Sequence, residues 1–117
     1  MFTNDIRMGA FKSLTKHHYK EGIEAGILFA KTQGGHGSEN RTGVIMQEIA
    51  SYGSAAKSAV PQLKEVIVSF HEQVQKREFP GGEINDRRVR AVEDAIKTIE
   101  AAKESPKLRS IGPAQER

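Results

Sequence analysis

The segment "SYGSAAKSAVPQLKEVI", residues 51–67, restricts the fold more than any other part of this chain. It places a glycine, a run of small residues and a proline at the start of a long apolar stripe. Ala56, Ala59, Val60, Leu63, Val66, Ile67, Phe70 and Val74 follow one another in steps of one, three or four, the spacing of one helix face. Gly53 allows a sharp turn before the stripe. Proline is poorly tolerated inside a helix and well tolerated in its first turn. The spacing therefore predicts a helix that kinks or restarts at Pro61, with Ser54 able to cap its first turn.

The same periodicity predicts four more helices. Ile6, Ala10, Phe11 and Leu14 share a face over Asp5 to about Lys16, with Asn4 or Asp5 as the cap. Ile23, Ala25, Ile27, Leu28 and Phe29 mark a second helix from about Lys20 to Lys31. Gly22 and Gly26 weaken it, and glycines in such places mark close approach of a neighbouring backbone. Val44, Ile45, Ile49 and Tyr52 mark a third over about Glu39 to Ser51, capped by Ser38 or Asn40. Val89, Val92, Ile96 and Ile99 mark a fifth over about Asp86 to Glu104, capped by Asn85 or Asp86 and stopped by Ser105-Pro106. Ala91, Ala95 and Ala102 read as neutral fillers of that helix. Leu108 and Ile111 are expected to fold back onto it, in a partly irregular tail over 105–117. The expectation is an all-α chain, one domain over 1–117.

A shift of 35 positions lays the first helical pair on the second: Ala10 falls on Ile45, Leu14 on Ile49, Ala25 on Val60, Leu28 on Leu63, and His18 on the hinge Gly53, while Ile23 falls on the polar Ser58. Two helices per unit at such a period suggest an α-solenoid. Residues 39–52 and 54–77 should then lie together as an antiparallel hairpin. The motif Ile49, Gly53, Ala55-Ala56, Val60-Pro61, Leu63 resembles the turn between the paired helices of a HEAT repeat. The first unit lacks the proline. The resemblance implies a short α-solenoid of about five antiparallel helices, two and a half HEAT-like repeats. More loosely, "FPGGEINDRRVRAVEDAIKTIEAA" looks like the C-terminal end of helical-repeat regions in larger bacterial proteins.

Chemistry is harder to find. The chain has no cysteine, which excludes disulfides, thiolate metal sites and cysteine nucleophiles. His17, His18, His36 and His71 form no zinc motif. The loop "QGGHGSENRTG" lacks both the lysine and the preceding strand of a phosphate loop. No catalytic, metal or cofactor residue is assigned, and an enzyme is not expected. The loop is long for a helix–helix connection, and such loops carry contacts. His36, Glu39 and Arg41 are therefore candidate partner contacts, as are Arg87, Arg88 and Arg90 of the "RRVR" cluster. An Arg90–Asp94 pair at i, i+4 is the competing use of that cluster.

Phe2, Ile6, Phe11 and Leu14 are expected to form an apolar face with no preceding unit to cover it. It would serve self-association or docking onto the remainder of a larger chain. The function expected is a protein–protein interaction or scaffolding module. The alternative is a nucleic-acid-binding helical module, suggested by a net charge of +3 and a pI near 9.3. The basic excess sits towards the two ends of the chain, and residues 36–78 and 85–104 are balanced. No apolar run is long enough to cross a bilayer and no signal peptide is visible, so a cytoplasmic location is the default expectation.

Overall fold

The computed structural model describes residues 2–33 and 37–111, with side chains described from Asn4 onward. Five α-helices follow in order: α1 (Phe2–Lys16), α2 (Glu21–Thr32), α3 (Ser38–Ala50), α4 (Val60–Gln75) and α5 (Glu83–Ala101). A 3-10 helix, Gly53–Ala59, joins α3 to α4. No strand forms among the described residues, and an isolated parallel bridge joins Tyr19 to Arg109. The chain is all-α, and the five predicted helices are the five observed.

The elbow resolves as the proline requires. Gly53 turns the chain at φ 58, seven residues wind tightly as 3-10 helix, and α4 starts at Val60 with Pro61 in its first turn. There the missing proline N–H leaves no broken helical bond. The predicted stripe is the buried one: Ala56, Ala59, Val60, Leu63, Val66 and Phe70 are all inside. His18, the positional counterpart of Gly53, also turns its chain in the left-handed region, at φ 52.

Several boundaries and caps differ from expectation. Asn4 and Asp5 lie within α1, which starts at Phe2. Gly37, at φ 85, precedes α3, so Ser38 and Asn40 lie inside that helix. Neither Ser54 nor Asn85 nor Asp86 caps a helix; Gly82 precedes α5, and no side chain bonds its first turn. Ser38, Asn40 and Asn85 accept hydrogen bonds from arginines instead. Gly22 and Gly26 do mark close approach, but of side chains. A Cβ at Gly22 would lie 2.3 Å from the Tyr52 hydroxyl, and one at Gly26 would lie 2.7 Å from the Phe11 ring.

The closest helix pairing is α3 along α5, with α4 also along α5. α2 packs against α1, α3 and α4, and α1 touches α3 lightly. These pairings put α1, α3 and α5 in one row and α2 and α4 in another. The thinnest dimension, 18 Å, suits two rows of helices about 8–10 Å apart. The hairpin expected between residues 39–52 and 54–77 is not among the close helix pairs. Of residues 54–77 it is the 3-10 elbow that packs on α3, while α4 lies mainly against α2 and α5. α3 instead makes its most extensive pairing with α5, along a seam that includes Met46, Ala50, Ala91 and Ala95. Ala91 and Ala95 are thus interface residues and not fillers.

The tail also departs from expectation. Leu108 and Ile111 do not return to α5. Beyond Ala101 the chain passes the elbow, where Ser54 N–H donates to Glu104 O (2.9 Å). It then reaches the α1–α2 turn, where Lys20 N–H donates to Arg109 O (2.8 Å) and Arg109 N–H donates to His18 O (3.0 Å). Leu108 borders a groove with Ile23 and Ala59.

Candidate functional site

Three places gather polar side chains. The first is an open groove between α3 and α5. Glu39, Asn40, Gly43, Val44 and Gln47 of α3 face Arg87, Arg90, Ala91 and Asp94 of α5 across a volume of about 360 Å³. Arg87 donates to Asn40 Oδ1 at 3.2 Å. The groove continues along the pair over Met46, Ala50, Ala95 and Thr98, with a further 230 Å³ or so. Its floor is apolar and made of small side chains. Its rim carries two arginines at one end and carboxylates of both helices.

The second place is internal, at the end of the molecule where α2 and α4 finish and α3 and α5 begin. Arg88 is fully buried there. Its Nε and Nη2 both donate to Asn85 Oδ1 (3.1 and 3.0 Å). Nη1 donates to Ser38 Oγ (3.1 Å), and Nη2 also donates to Gln73 Oε1 (2.8 Å). The guanidinium stacks on the rings of Phe70 and Phe79, 3.9 and 3.5 Å from their centroids. Burial pushes its pKa down to about 10, against a smaller opposing pull from Glu39. Beside it, Arg41 Nε donates to Gln33 Oε1 (2.9 Å), and Gln33 Nε2 donates to Thr42 Oγ1 (2.8 Å). No buried side-chain polar atom among the described residues lacks a partner. This is a closed knot that ties four helix ends together.

The third place is the opposite end, around Tyr52. Its buried hydroxyl donates to Tyr19 O at 2.5 Å. His18 meets the Tyr52 ring edge-on at 5.1 Å, and Thr15 donates to Glu48 Oε1 at 2.7 Å. Desolvation, followed by the charges of Glu48 and Glu21, raises the Tyr52 pKa to about 12. Glu21 receives the tail: Ile111 N–H and the Ser110 hydroxyl both donate to its carboxylate at 3.3 Å. Desolvation pushes that carboxyl up. Hydrogen bonds from its own backbone, from Ile111 and from Ser110, together with the Lys20 charge, outweigh it and leave the pKa below the usual value.

The candidate residues separate on these surfaces. Glu39, Arg87 and Arg90 come together on the α3–α5 groove. Arg41 turns away from it, to Gln33. Arg88, expected at the surface, is buried, because it sits on the apolar phase of α5, four residues before Val92. His36 lies outside the described residues. The expected apolar face on α1 is broken up. Phe11 is buried against the edge of Phe29, 6.3 Å between centroids, and Leu14 is half-buried. Ile6 is 71% exposed, and the side chain of Phe2 lies outside the described residues.

Sequence reasoning missed Tyr52 as a hydrogen-bonding residue, and Gln33, Gln73 and Asn85 as partners of buried arginine and threonine. One signal was present: Asn85 and Arg88 continue the stripe of Val92, Ala95, Ile96 and Ile99 backwards by helical steps. No group of His, Cys, Asp or Glu side chains suited to hold a metal occurs among the described residues, and none of their helices is long and apolar enough to cross a membrane. No protein-family model, curated protein or solved structure matches the chain, which leaves its own geometry to support a function.

Proposed function

We propose that this chain is a non-catalytic helical-repeat module that binds a protein partner, built as a short HEAT-like solenoid. The observation that carries the proposal is the α3–α5 groove. Three of the six polar contact residues expected from the sequence, Glu39, Arg87 and Arg90, converge there from two helices. The groove has a floor of small side chains and a charged rim, the layout of a peptide-binding surface with an apolar centre and a polar edge. The fitting occupant is a helical or extended protein segment whose carboxylates meet Arg87 and Arg90.

The solenoid reading is supported by the two-row layout, by the left-handed residues at the matching positions 18 and 53, and by the restart at Pro61; it departs from a HEAT hairpin in that α4 packs on α2 and α5 and not closely on α3. The displaced ionisations at Arg88, Tyr52 and Glu21 each have a structural partner. They read as packing and not as groups poised for proton transfer.

The test places a photo-crosslinking residue at Gln47, in the groove, or at Glu72, an exposed position on α4. The expected result is one discrete protein adduct at Gln47 that is absent at Glu72 and lost in the R87E/R90E double variant. The same adducts at both positions, or adduct formation indifferent to R87E/R90E, would overturn the groove as the binding surface.

A further inference from the structure

We infer that the occupant of the α3–α5 groove is a second copy of this chain, with the two α5 helices antiparallel so that Arg90 of each copy meets Asp94 of the other. This occupant presupposes the groove to be the binding surface proposed above. The charges on the groove are balanced: its lining sets Arg87 and Arg90 against Glu39 and Asp94. Such a surface offers no excess to a strongly acidic or strongly basic partner, whereas a second copy presents the same balance. Glu93 and Lys97, also on α5, do not line the groove.

The charges are also ordered along the helices. Glu39, Arg87 and Arg90 stand towards the end where α3 and α5 begin, and the Glu39 charge also acts on the buried Arg88. Asp94 stands one turn beyond Arg90, and past it Ala50, Ala95 and Thr98 leave the lining uncharged. Arg90 and Asp94 are both exposed, and the i, i+4 pair open to them within α5 is not formed. Among the described residues no hydrogen bond or ion pair engages either side chain.

A two-fold axis across α5, level with Val92, sets position 90 against position 94, so symmetry makes the arginine–carboxylate contact twice. The same axis brings Arg87 over the uncharged end at Thr98. Parallel α5 helices would instead set Arg90 against Arg90 and Asp94 against Asp94. Ala91, beside the axis, leaves room for two helices to approach to about 8 Å. The face is about as long as the 13-residue α3, about 20 Å, and two helices or about 20 Å wide, which is about 400 Å² per copy. That area suits a weak, reversible dimer with a dissociation constant of about micromolar order.

The test is sedimentation velocity of the purified 117-residue chain from about 1 to about 100 µM. The average mass should rise towards two chains over that range. R90D and D94R should each weaken the dimer at least about 10-fold, because each sets like charges together twice. An equimolar mixture of R90D and D94R should recover a dimer within about 3-fold of wild-type strength, because the mixed pair again sets each carboxylate against an arginine. A purely intrahelical role of the two residues gives no such recovery. Unchanged helical circular dichroism confirms the fold of both variants. A chain that stays monomeric, a dimer indifferent to both changes, or a mixture no tighter than either variant alone would overturn the inference. The crosslinker at Gln47 separates this outcome from the binding surface itself. In the purified chain it should give an adduct of two chains. An adduct that forms only with another protein overturns the second copy and leaves the groove standing, and absence of any discrete Gln47 adduct overturns both.

Discussion

Arg88 has no exposed surface, yet among the described residues its hydrogen bonds go to the neutral side chains of Asn85, Ser38 and Gln73, and its faces to two phenyl rings. Removing it would leave those oxygens unsatisfied and open a cavity between Phe70 and Phe79. Arg88→Ala should lower the unfolding free energy by about 3–5 kcal/mol in a urea titration. Arg88→Lys should recover little of this, because an ammonium can neither bond Asn85 twice nor stack on two rings. Tyr52 closes the other end in a similar way. Tyr52→Phe leaves Tyr19 O without its donor and should cost about 1–3 kcal/mol. The alkaline limb tests its cause. Because the folded Tyr52 holds its proton to about 12 against an ordinary 10, its contribution is complete below pH 10 and is lost as pH rises through 12. The wild-type chain should lose stability over that window, and Tyr52→Phe should lack that component.

Among the elements, the tail and the elbow depend on each other. At Gly53 a side chain would meet Glu104 O at 2.3 Å, and φ 58 disfavours any L side chain. Gly53→Ala should therefore cost about 1–2 kcal/mol and free the tail, read as faster amide exchange at Arg109 with α1–α5 still protected. Glu21 sets the pH range of the tail contact. Its folded pKa lies below the ordinary 4.5, so its contribution is present above that value and fades as pH falls through the lower folded one. Amide exchange of Ile111 should accelerate over that acid range, and Glu21→Gln should be fast throughout. The helices themselves were legible in the sequence because each carries its own period. Their caps were not. Ser38 and Asn85 are good cap residues by type, but each has a buried guanidinium for a partner, which local statistics do not contain.

In the whole molecule, the two rows of helices meet tightly at Gly26 of α2, between Phe11 of α1 and Ile49 of α3. A Cβ there would lie 2.7 Å from the Phe11 ring and 2.9 Å from the Ile49 side chain. Gly26→Ala should overpack this seam and cost about 1–3 kcal/mol, seen as a lower thermal midpoint with helical content retained. The sequence by itself determined that the chain is helical, where the helices run, which stripe of α4 is buried, and that the elbow restarts at Pro61, while Ile6 and Leu28 of the expected α1 and α2 faces are exposed. Those properties depend on residues three or four apart, and any one segment displays them. Only the tertiary structure decided that Arg88 lies inside, that α5 settles against α3, and that the tail crosses to the α1–α2 turn. Each of those outcomes rests on partners such as Thr15 and Glu48, Ser38 and Arg88, or Glu21 and Ser110, which stand 33, 50 and 89 residues apart. Periodicity has no reach over such separations; only packing selects the partner.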